Sequence, residues 1–281
     1  MAAVFPRQSH TRNGQFSAWV LADFCLSPQY RTLGPALQLQ RACLEGVDAG
    51  AAAFCYDFPS TAMMAVYQRL GIRSVRQMVR LAKPLRVDRK AREIVTGALA
   101  QRIVAGAGNL LLRLGDMSGT AKHGVSVALH TGDCGEEFSA LSDKMAGCYG
   151  ICTNRSGDYL NWRYLDNPLY CYELLTARRG GELLGYIVFN QSGEDAMLAD
   201  IFGVDEPLMI ECLLNGATAI LRERGVVTVS AALIESHPWI PLFSRAGFKA
   251  REKSPIIAYA PSHSHAFDFS NWFLTYGDRD S

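Results

Sequence analysis

The sequence predicts an α/β fold of mixed sheets flanked by helices, in which one unit occurs twice and the first copy is incomplete. Two short repeats indicate the duplication. Leu21-Ala22-Asp23-Phe24 returns as Leu198-Ala199-Asp200-Ile201, an offset of 177 residues (200 − 23). The stretch 67–72 returns as 243–248, an offset of 176 (247 − 71). Two separated anchors with nearly equal offsets favour a tandem duplication over a chance match.

The second copy contains a complete series of elements. Periodicity and turn residues predict the order β-α-α-β-β-β-α-β-α-β. Arg179-Gly180-Gly181 is typical of a hairpin turn, and Gly225 ends the long helix. The first eight elements are expected at 125–130, 136–146, 159–165, 172–177, 183–189, 197–202, 207–224 and 226–234.

The first copy lacks the opening third of this series. Only about sixteen residues precede its matching strand, which leaves room for one strand. We divide the chain into a truncated first unit at 1–87, a helical joint and loop at 88–123, a complete second unit at 124–261 and a tail at 262–281. A bare edge of the first sheet would promote aggregation, so we expect the second copy or upstream residues to cover it.

Composition narrows the classes of function. The 281 residues are 49% hydrophobic, which supports well-filled cores. Lys and Arg total 28 against 27 Asp and Glu, so no overall basic field recruits nucleic acid or an anionic membrane. No apolar run is long enough for a membrane span, and no secretion signal opens the chain. We expect a small or neutral partner, with the oligomeric state left open.

Cysteine and histidine spacing argue against disulfides and metal. The eight cysteines include no Cys-x-x-Cys pair, and most lie in apolar runs, as reduced and buried thiols do. This pattern favours a cytoplasmic protein. His263 and His265 stand two residues apart without a third ligand nearby, so we predict no metal site.

A strand-to-helix turn carries the pattern Arg31-x-x-Gly34-x-Ala36. Backbone N–H groups and the positive end of the helix dipole meet at such a turn, and phosphate is the natural ligand. Gly34 would let the backbone approach the ligand, Pro35 suits the first helical position, and Arg31 would add charge. The alternative is a plain corner in which Gly34 serves only the turn and Arg31 is solvated.

The chain resembles the GNAT superfamily of acyl-CoA-dependent N-acyltransferases at two motifs. Residues 26–36 are similar to the family's hydrophobic-x-Pro-x-Tyr/Phe-Arg-x-x-Gly-x-Gly/Ala signature, and 66–72 to its Leu-Tyr-x-Lys/Arg-x-Gly-Phe motif. The resemblance covers nearly all of the chain except the joint and the tail. It implies acetyl-CoA or another acyl-CoA as co-substrate, no metal, and a small-molecule amine as acceptor.

Carried over position by position, the resemblance implies roles for individual residues. The backbone at Leu26 would donate to the developing oxyanion of the thioester. Tyr67 falls where the family places the general acid, the alternative being a tyrosine packed for area. Asp23 lies where the family often keeps an acid, and Asp57 follows the next strand. The CoA pyrophosphate would lie on the backbone of Arg31, Thr32, Leu33, Gly34, Pro35 and Ala36.

Asp23 also has a structural interpretation, which we prefer. It is matched by Asp200 in the second copy, so it could serve the fold by capping or pairing. The second copy otherwise departs from the cofactor pattern: with the same offset, Leu208, Glu211 and Leu213 replace the arginine, glycine and alanine of the turn. Phe243 replaces the tyrosine. We therefore expect one acyl-CoA site per chain and a structural or substrate-shaping second copy.

Two further segments, 161–164 and 272–278, resemble segments of bacterial tandem GNAT-like proteins often found among polysaccharide and cell-envelope genes. Packing of core and tail is the interpretation we prefer for both.

The functional hypothesis is transfer of an acyl group, acetyl in the first instance, to an amine of a small molecule or sugar precursor. One alternative is a Fem-like aminoacyl transferase, but the near-neutral charge argues against tRNA binding. The other is a non-catalytic scaffold or small-molecule sensor, which the missing first strands and the lost second signature favour.

Overall fold

A computed structural model of the chain describes residues 1–86, 124–261 and 267–279. One mixed twelve-stranded sheet forms in this part of the chain. Its strands are Ala3–Thr11 (β1), Gly14–Ala22 (β2), Phe54–Asp57 (β3), Ser74–Pro84 (β4), Val125–Leu129 (β5), Ile151–Thr153 (β6), Tyr172–Arg179 (β7), Glu182–Ser192 (β8), Asp195–Gly203 (β9), Thr228–Ile234 (β10), Lys249–Tyr259 (β11) and Trp272–Phe273 (β12).

Helices flank this sheet, as the sequence predicts. The α-helices are Leu33–Asp48 (α1), Thr61–Arg69 (α2), Glu136–Met145 (α3), Gly157–Leu160 (α4), Pro207–Glu223 (α5) and Ile240–Arg245 (α6). Shorter helical turns are Pro28–Tyr30, Asn161–Leu165, Phe269–Asn271 and Tyr276–Asp278. No helix in the described residues is long and apolar enough to cross a membrane.

The two predicted units exchange their last strands. The sheet order is β12-β6-β1-β2-β3-β11-β4-β10-β9-β8-β7-β5. Thus β11, from the second unit, pairs antiparallel with β3, while β4, from the first, lies between β11 and β10. The sheet therefore has no seam between the units. The helical joint predicted at 88–123 lies outside the described residues.

The second unit covers the edge of the first. One strand, β1, precedes β2, as the chain length allows, and β1 pairs antiparallel with β6 through Ser9 and His10. Strand β12 of the tail then pairs parallel with β6. The expectation that the first-copy edge is covered by the second copy is confirmed.

Glycines fix the turn that the sequence predicts between β7 and β8. Arg179 pairs directly with Glu182, which leaves a two-residue turn. Gly180 and Gly181 adopt φ values of 57° and 91°. These values fit a type I′ turn, which requires positive φ at both of its central residues, and glycine adopts positive φ without strain.

Helix α1 packs an amphipathic face on the first unit. Ala36, Leu44 and Val47 are buried at helical spacing, and the polar Gln40 shares their face.

The cysteines are less completely buried than the apolar runs around them predict. Cys55, Cys134 and Cys152 are buried, Cys43 and Cys212 are half-buried, and Cys25, Cys148 and Cys171 are exposed.

Candidate active site

A cleft opens where two parallel strands separate. Strands β2 and β3 pair only between Ala18–Val20 and Phe54–Tyr56. Beyond these pairs the strand ends border a cavity of about 710 Å³, which α1 and α2 also line. Ligands of α/β proteins bind outside the carboxyl ends of parallel strands, and this cavity has that position.

A β-bulge shapes the rim of the cleft. Ala3 pairs with Ala22, and Met1 and Cys25 then exchange backbone hydrogen bonds of 2.7 and 2.8 Å. The chain thus advances three residues on one side and two on the other. The extra residue is Asp23, which has φ 50° and is the only described non-glycine residue with positive φ. Bulges next to active sites commonly re-aim the chain, and this one leads it into the loop that lines the cleft.

Asp23 and Asp200 are not structurally equivalent. Asp200 lies within β9, is almost fully buried and accepts hydrogen bonds from Arg155. Asp23 is exposed at the bulge and borders the cavity. The match of four letters therefore does not carry the pairing role of Asp200 to Asp23, and a structural role for Asp23 stays a prediction. Its catalytic role stays a prediction.

The loop after the bulge is held by its own arginine. Arg31 Nε donates to the carbonyl of Leu26 at 3.0 Å, although the arginine is exposed. The guanidinium therefore braces the turn in addition to any charge it offers a ligand. Among the described residues, nothing accepts a hydrogen bond from the Leu26 N–H. This leaves the predicted oxyanion donor available at the edge of the cavity.

Helix α1 begins with open backbone donors. Thr32 is the N-cap, and its side chain makes no capping bond. The helix starts at Leu33, so Pro35 is its third residue. The prediction from the sequence that Pro35 occupies the first helical position is wrong. The N–H groups of Leu33 and Gly34 precede the first intrahelical bonds. A Cβ placed on Gly34 would meet nothing within 4 Å, so a ligand can approach this end closely.

Three side chains form a hydrogen-bonded chain beside the cavity. Tyr67 Oη donates to Asp57 Oδ2 at 2.6 Å and accepts from Gln40 Nε2 at 3.1 Å. Asp57 Oδ1 also accepts from the Phe58 N–H at 2.6 Å. Asp57 and Gln40 border the cavity, whereas Tyr67 is completely buried. Burial, reinforced by the charge of Asp57, holds the pKa of Tyr67 far above its ordinary value.

The corresponding gap in the second unit is filled by the tail. Strands β9 and β10 pair parallel over four residues and then part. There Thr275 bridges to Leu233, and its hydroxyl donates to Asp200 at 2.8 Å. Arg155 donates to Asp200 and Asp278 at 2.9 and 2.7 Å, with all three side chains nearly inaccessible. This ion cluster locks the tail into the gap.

The two segments singled out in the sequence contact each other. Arg163 donates to the carbonyls of Gly277 and Arg279 at 3.3 and 2.7 Å. A Cβ on Gly277 would lie 1.9 Å from Tyr164 Oη, so only glycine fits there. The packing interpretation is confirmed for segment 272–278 and for Arg163 and Tyr164, whereas Trp162 is 56% exposed.

A carboxylate does replace the anion cradle in the second unit, but it is not Glu211. Glu206 is the N-cap residue of α5, and its carboxylate makes no capping bond but forms an ion pair with Arg179. Leu208, Glu211 and Leu213 lie inside the helix. A constant offset of 177 residues does not align the starts of α1 and α5, because the connection before α5 is shorter than the loop that precedes α1.

Two polar side chains of the cleft, those of Gln40 and Arg279, were not predicted from the sequence. Gln40 left a signal, since a lone amide on an apolar helix face needs a polar partner. Arg279 left none, because its place depends on how the tail packs. In residues 1–86, 124–261 and 267–279 no group of three potential ligands is placed to hold a metal ion. His263 and His265 lie outside the described residues.

The fold is shared with solved acyltransferases. A GCN5-related N-acetyltransferase from Anabaena variabilis ATCC 29413 matches with a TM-score of 0.62 at 12% identity, over 92% of this chain and 59% of that one. One from Kribbella flavida matches with 0.59 at 14%, over 92% and 56%. N-myristoyltransferase of Saccharomyces cerevisiae, solved with bound myristoyl-CoA, matches with 0.59 at 10%, over 92% and 66%.

The likeness is one of fold. The chain spans somewhat over half the length of the two N-acetyltransferases. No protein-family model and no curated protein sequence matches it.

Proposed function

We propose that this chain, which has the fold of the GCN5-related N-acetyltransferases, transfers an acyl group from acyl-CoA to an amine of a small molecule or sugar precursor. Acetyl is the acyl group we propose first. The observation that carries the proposal is the cleft between β2 and β3, which has an open helix N-terminus at its mouth and a positioned carboxylate, Asp57, in its wall. A cytoplasmic location remains a prediction from cysteine usage.

The residues of the cleft fit an acyl-CoA. The N–H groups of Leu33 and Gly34 would hold a pyrophosphate oxygen, favoured by the helix dipole. The Leu26 N–H would stabilise negative charge on the thioester oxygen. Leu21, Met63 and other apolar side chains of the cavity would exclude water from the acyl group. The acyl thioester is the activated group, and the chain supplies position, donors and a base.

We assign the proton acceptor for the attacking amine to Asp57. Its carboxylate borders the cavity and is held from behind by the Tyr67 hydroxyl. Asp23, at the bulge on the same cavity, is the second carboxylate that a substrate amine could reach. Tyr67 keeps its proton at neutral pH, so it can return one to the departing thiolate only if it turns from Asp57. We therefore give Tyr67 a positioning role, and its role as general acid stays a prediction from the sequence.

A non-catalytic sensor is the second candidate, favoured by the complete burial of Tyr67. Calorimetric titration with acetyl-CoA and with desulfo-CoA, followed by an assay of CoA release with a panel of amines, separates the two. A transferase binds acetyl-CoA and desulfo-CoA, and it releases CoA from acetyl-CoA only when an amine is present. Binding without amine-dependent release identifies a sensor, and absence of binding removes both proposals.

A further inference from the structure

The C-terminal tail brings a guanidinium to the cleft of the first unit. We infer that Arg279 binds an anionic group carried by the amine acceptor, so that the acceptor is an amino acid or a related amino-carboxylate. The inference rests on the proposed function and names its substrate class. Arg279 borders the same 710 Å³ cavity as Asp57.

The backbone of Arg279 is fixed by the second unit. Its carbonyl accepts a 2.7 Å hydrogen bond from Arg163, and the preceding residue, Asp278, is paired with the buried Arg155. The Asp278 carbonyl also accepts a 3.4 Å bond from Tyr56 Oη, on the strand that borders the cleft. The side chain therefore starts from a defined position beside β3.

The side chain of Arg279 lacks an acceptor among the described residues. Its Nε is buried and makes no hydrogen bond there. The guanidinium lies over the rings of Phe58 and Tyr276, at 5.3 and 5.6 Å from their centres. Aromatic faces attract the positive charge but leave its N–H donors unsatisfied. Arg155, which binds the same tail from the second unit, is satisfied by two carboxylates, so the position of Arg279 is one that an external anion would complete.

Opposite charges on one cavity fit a zwitterion. An amine placed near Asp57 would be attracted to its carboxylate, while an oxyanion on the same molecule would reach Arg279. The planar fork of arginine matches a carboxylate with two parallel hydrogen bonds, which favours a carboxylate over other anions. A phosphate would present related chemistry, and the experiment separates the two.

The test compares matched acceptors that differ in one charge. L-Amino acids are paired with their amides, and phosphoethanolamine with ethanolamine, in the CoA-release assay with acetyl-CoA. The same pairs are titrated directly into the protein by calorimetry. The direct titration does not depend on acyl transfer, so failure of the proposed function leaves this arm decisive.

We expect the wild type to favour amino acids over their amides at least tenfold. Arg279→Gln should reduce that ratio to within twofold while leaving the Kd for acetyl-CoA unchanged, and Arg279→Lys should give an intermediate ratio. Arg224→Gln is the matched control, since Arg224 pairs with Glu173 and borders neither of the two cavities that Arg279 borders. A larger preference for phosphoethanolamine over ethanolamine, no preference in the wild type, or a preference that persists in Arg279→Gln would overturn the inference.

Discussion

Tyr67 donates a 2.6 Å hydrogen bond to Asp57 from a position with no solvent exposure, whereas Asp57 borders the cleft. A buried hydroxyl thus holds a carboxylate at the cavity wall in one orientation. Gln40 completes the chain by donating to the same hydroxyl. Three elements, α1, β3 and α2, contribute to the position of one reactive group.

Asp57→Asn tests the base directly. An amide cannot accept a proton, so we expect kcat/KM for the amine to fall by about 10²–10⁴-fold, the usual contribution of acid–base catalysis. Tyr67→Phe keeps the ring packing and should reduce the rate less, with little change in the Kd for acetyl-CoA. Steady-state kinetics and calorimetry provide both readouts. A larger loss in Tyr67→Phe than in Asp57→Asn would show that Tyr67 is the general acid and contradict the positioning role.

Gly34→Glu tests the helix N-terminus as an anion site. The new carboxylate would repel pyrophosphate and fill the approach, so binding of acetyl-CoA should be lost. The fold should still melt cooperatively, because a Cβ at Gly34 meets nothing within 4 Å. Gly135→Glu is the matched control, since Gly135 caps α3 and its Cβ position is equally open. Equal affinity for acetyl-CoA in Gly34→Glu and the control would remove the assignment.

One CoA should bind per chain. The gap between β9 and β10 is occupied by the tail, and Glu206 places a carboxylate at the N-terminus of α5. Both features exclude a second cofactor. The measurement is the calorimetric stoichiometry with desulfo-CoA, and a value of two would refute the difference between the units.

The two aspartates of the repeated four-letter motif should differ in stability. Asp200→Asn leaves Arg155 paired with Asp278 but weakens the hydrogen bonds that Asp200 accepts from Arg155 and Thr275, so it should cost about 1–3 kcal/mol of unfolding free energy. Asp23→Asn, at an exposed position with positive φ that asparagine tolerates, should stay within about 0.5 kcal/mol. Urea unfolding measures both. Equal losses of unfolding free energy in the two variants would mean that the ion cluster of Arg155, Asp200 and Asp278 does not hold the tail in place.

Acid should destabilise the fold through His237. Burial, together with the charge of Arg155, lowers its pKa from 6.5 to about 3. Between these two pH values His237 is protonated in the unfolded chain but neutral in the folded chain. The free energy of unfolding therefore falls as pH drops below 6.5, by roughly 1.4 kcal/mol for each pH unit. His237→Asn removes the titrating imidazole. The asparagine retains an acceptor for the backbone N–H of Trp239, which donates to His237 Nδ1 at 3.2 Å in the wild type. Urea unfolding at pH 7 and 5 should show a steeper loss for the wild type, and parallel losses would contradict the prediction.

Local chemistry made much of the fold predictable. The glycines at 71 and 247 end equivalent helices with φ of 79° and 90°, so the repeated motif marks the same turn in both units. The hairpin at Gly180 and Gly181 follows from the same requirement for positive φ. Such signals depend on neighbours in the chain, which the sequence displays directly.

Long-range geometry was not predictable in this way. The four-letter match between the units conceals different local geometry: Asp23 has positive φ and borders the cleft, whereas Asp200 pairs with Val188 inside the sheet and is buried. The position of Arg279 depends on the ion cluster around Arg155, whose members are distant in sequence. The pairing of β11 with β3 likewise joins residues about two hundred positions apart.

The exchange of β4 and β11 makes the chain an intramolecular counterpart of a domain-swapped dimer. Each unit supplies a strand to the interior of the other's sheet. A half expressed alone would therefore lose the strand partner of β3 or β10, both partners of its own displaced strand, and the pairing between β1 and β6. The two halves, made as separate polypeptides, are complementary fragments: each is the template on which the other completes its sheet.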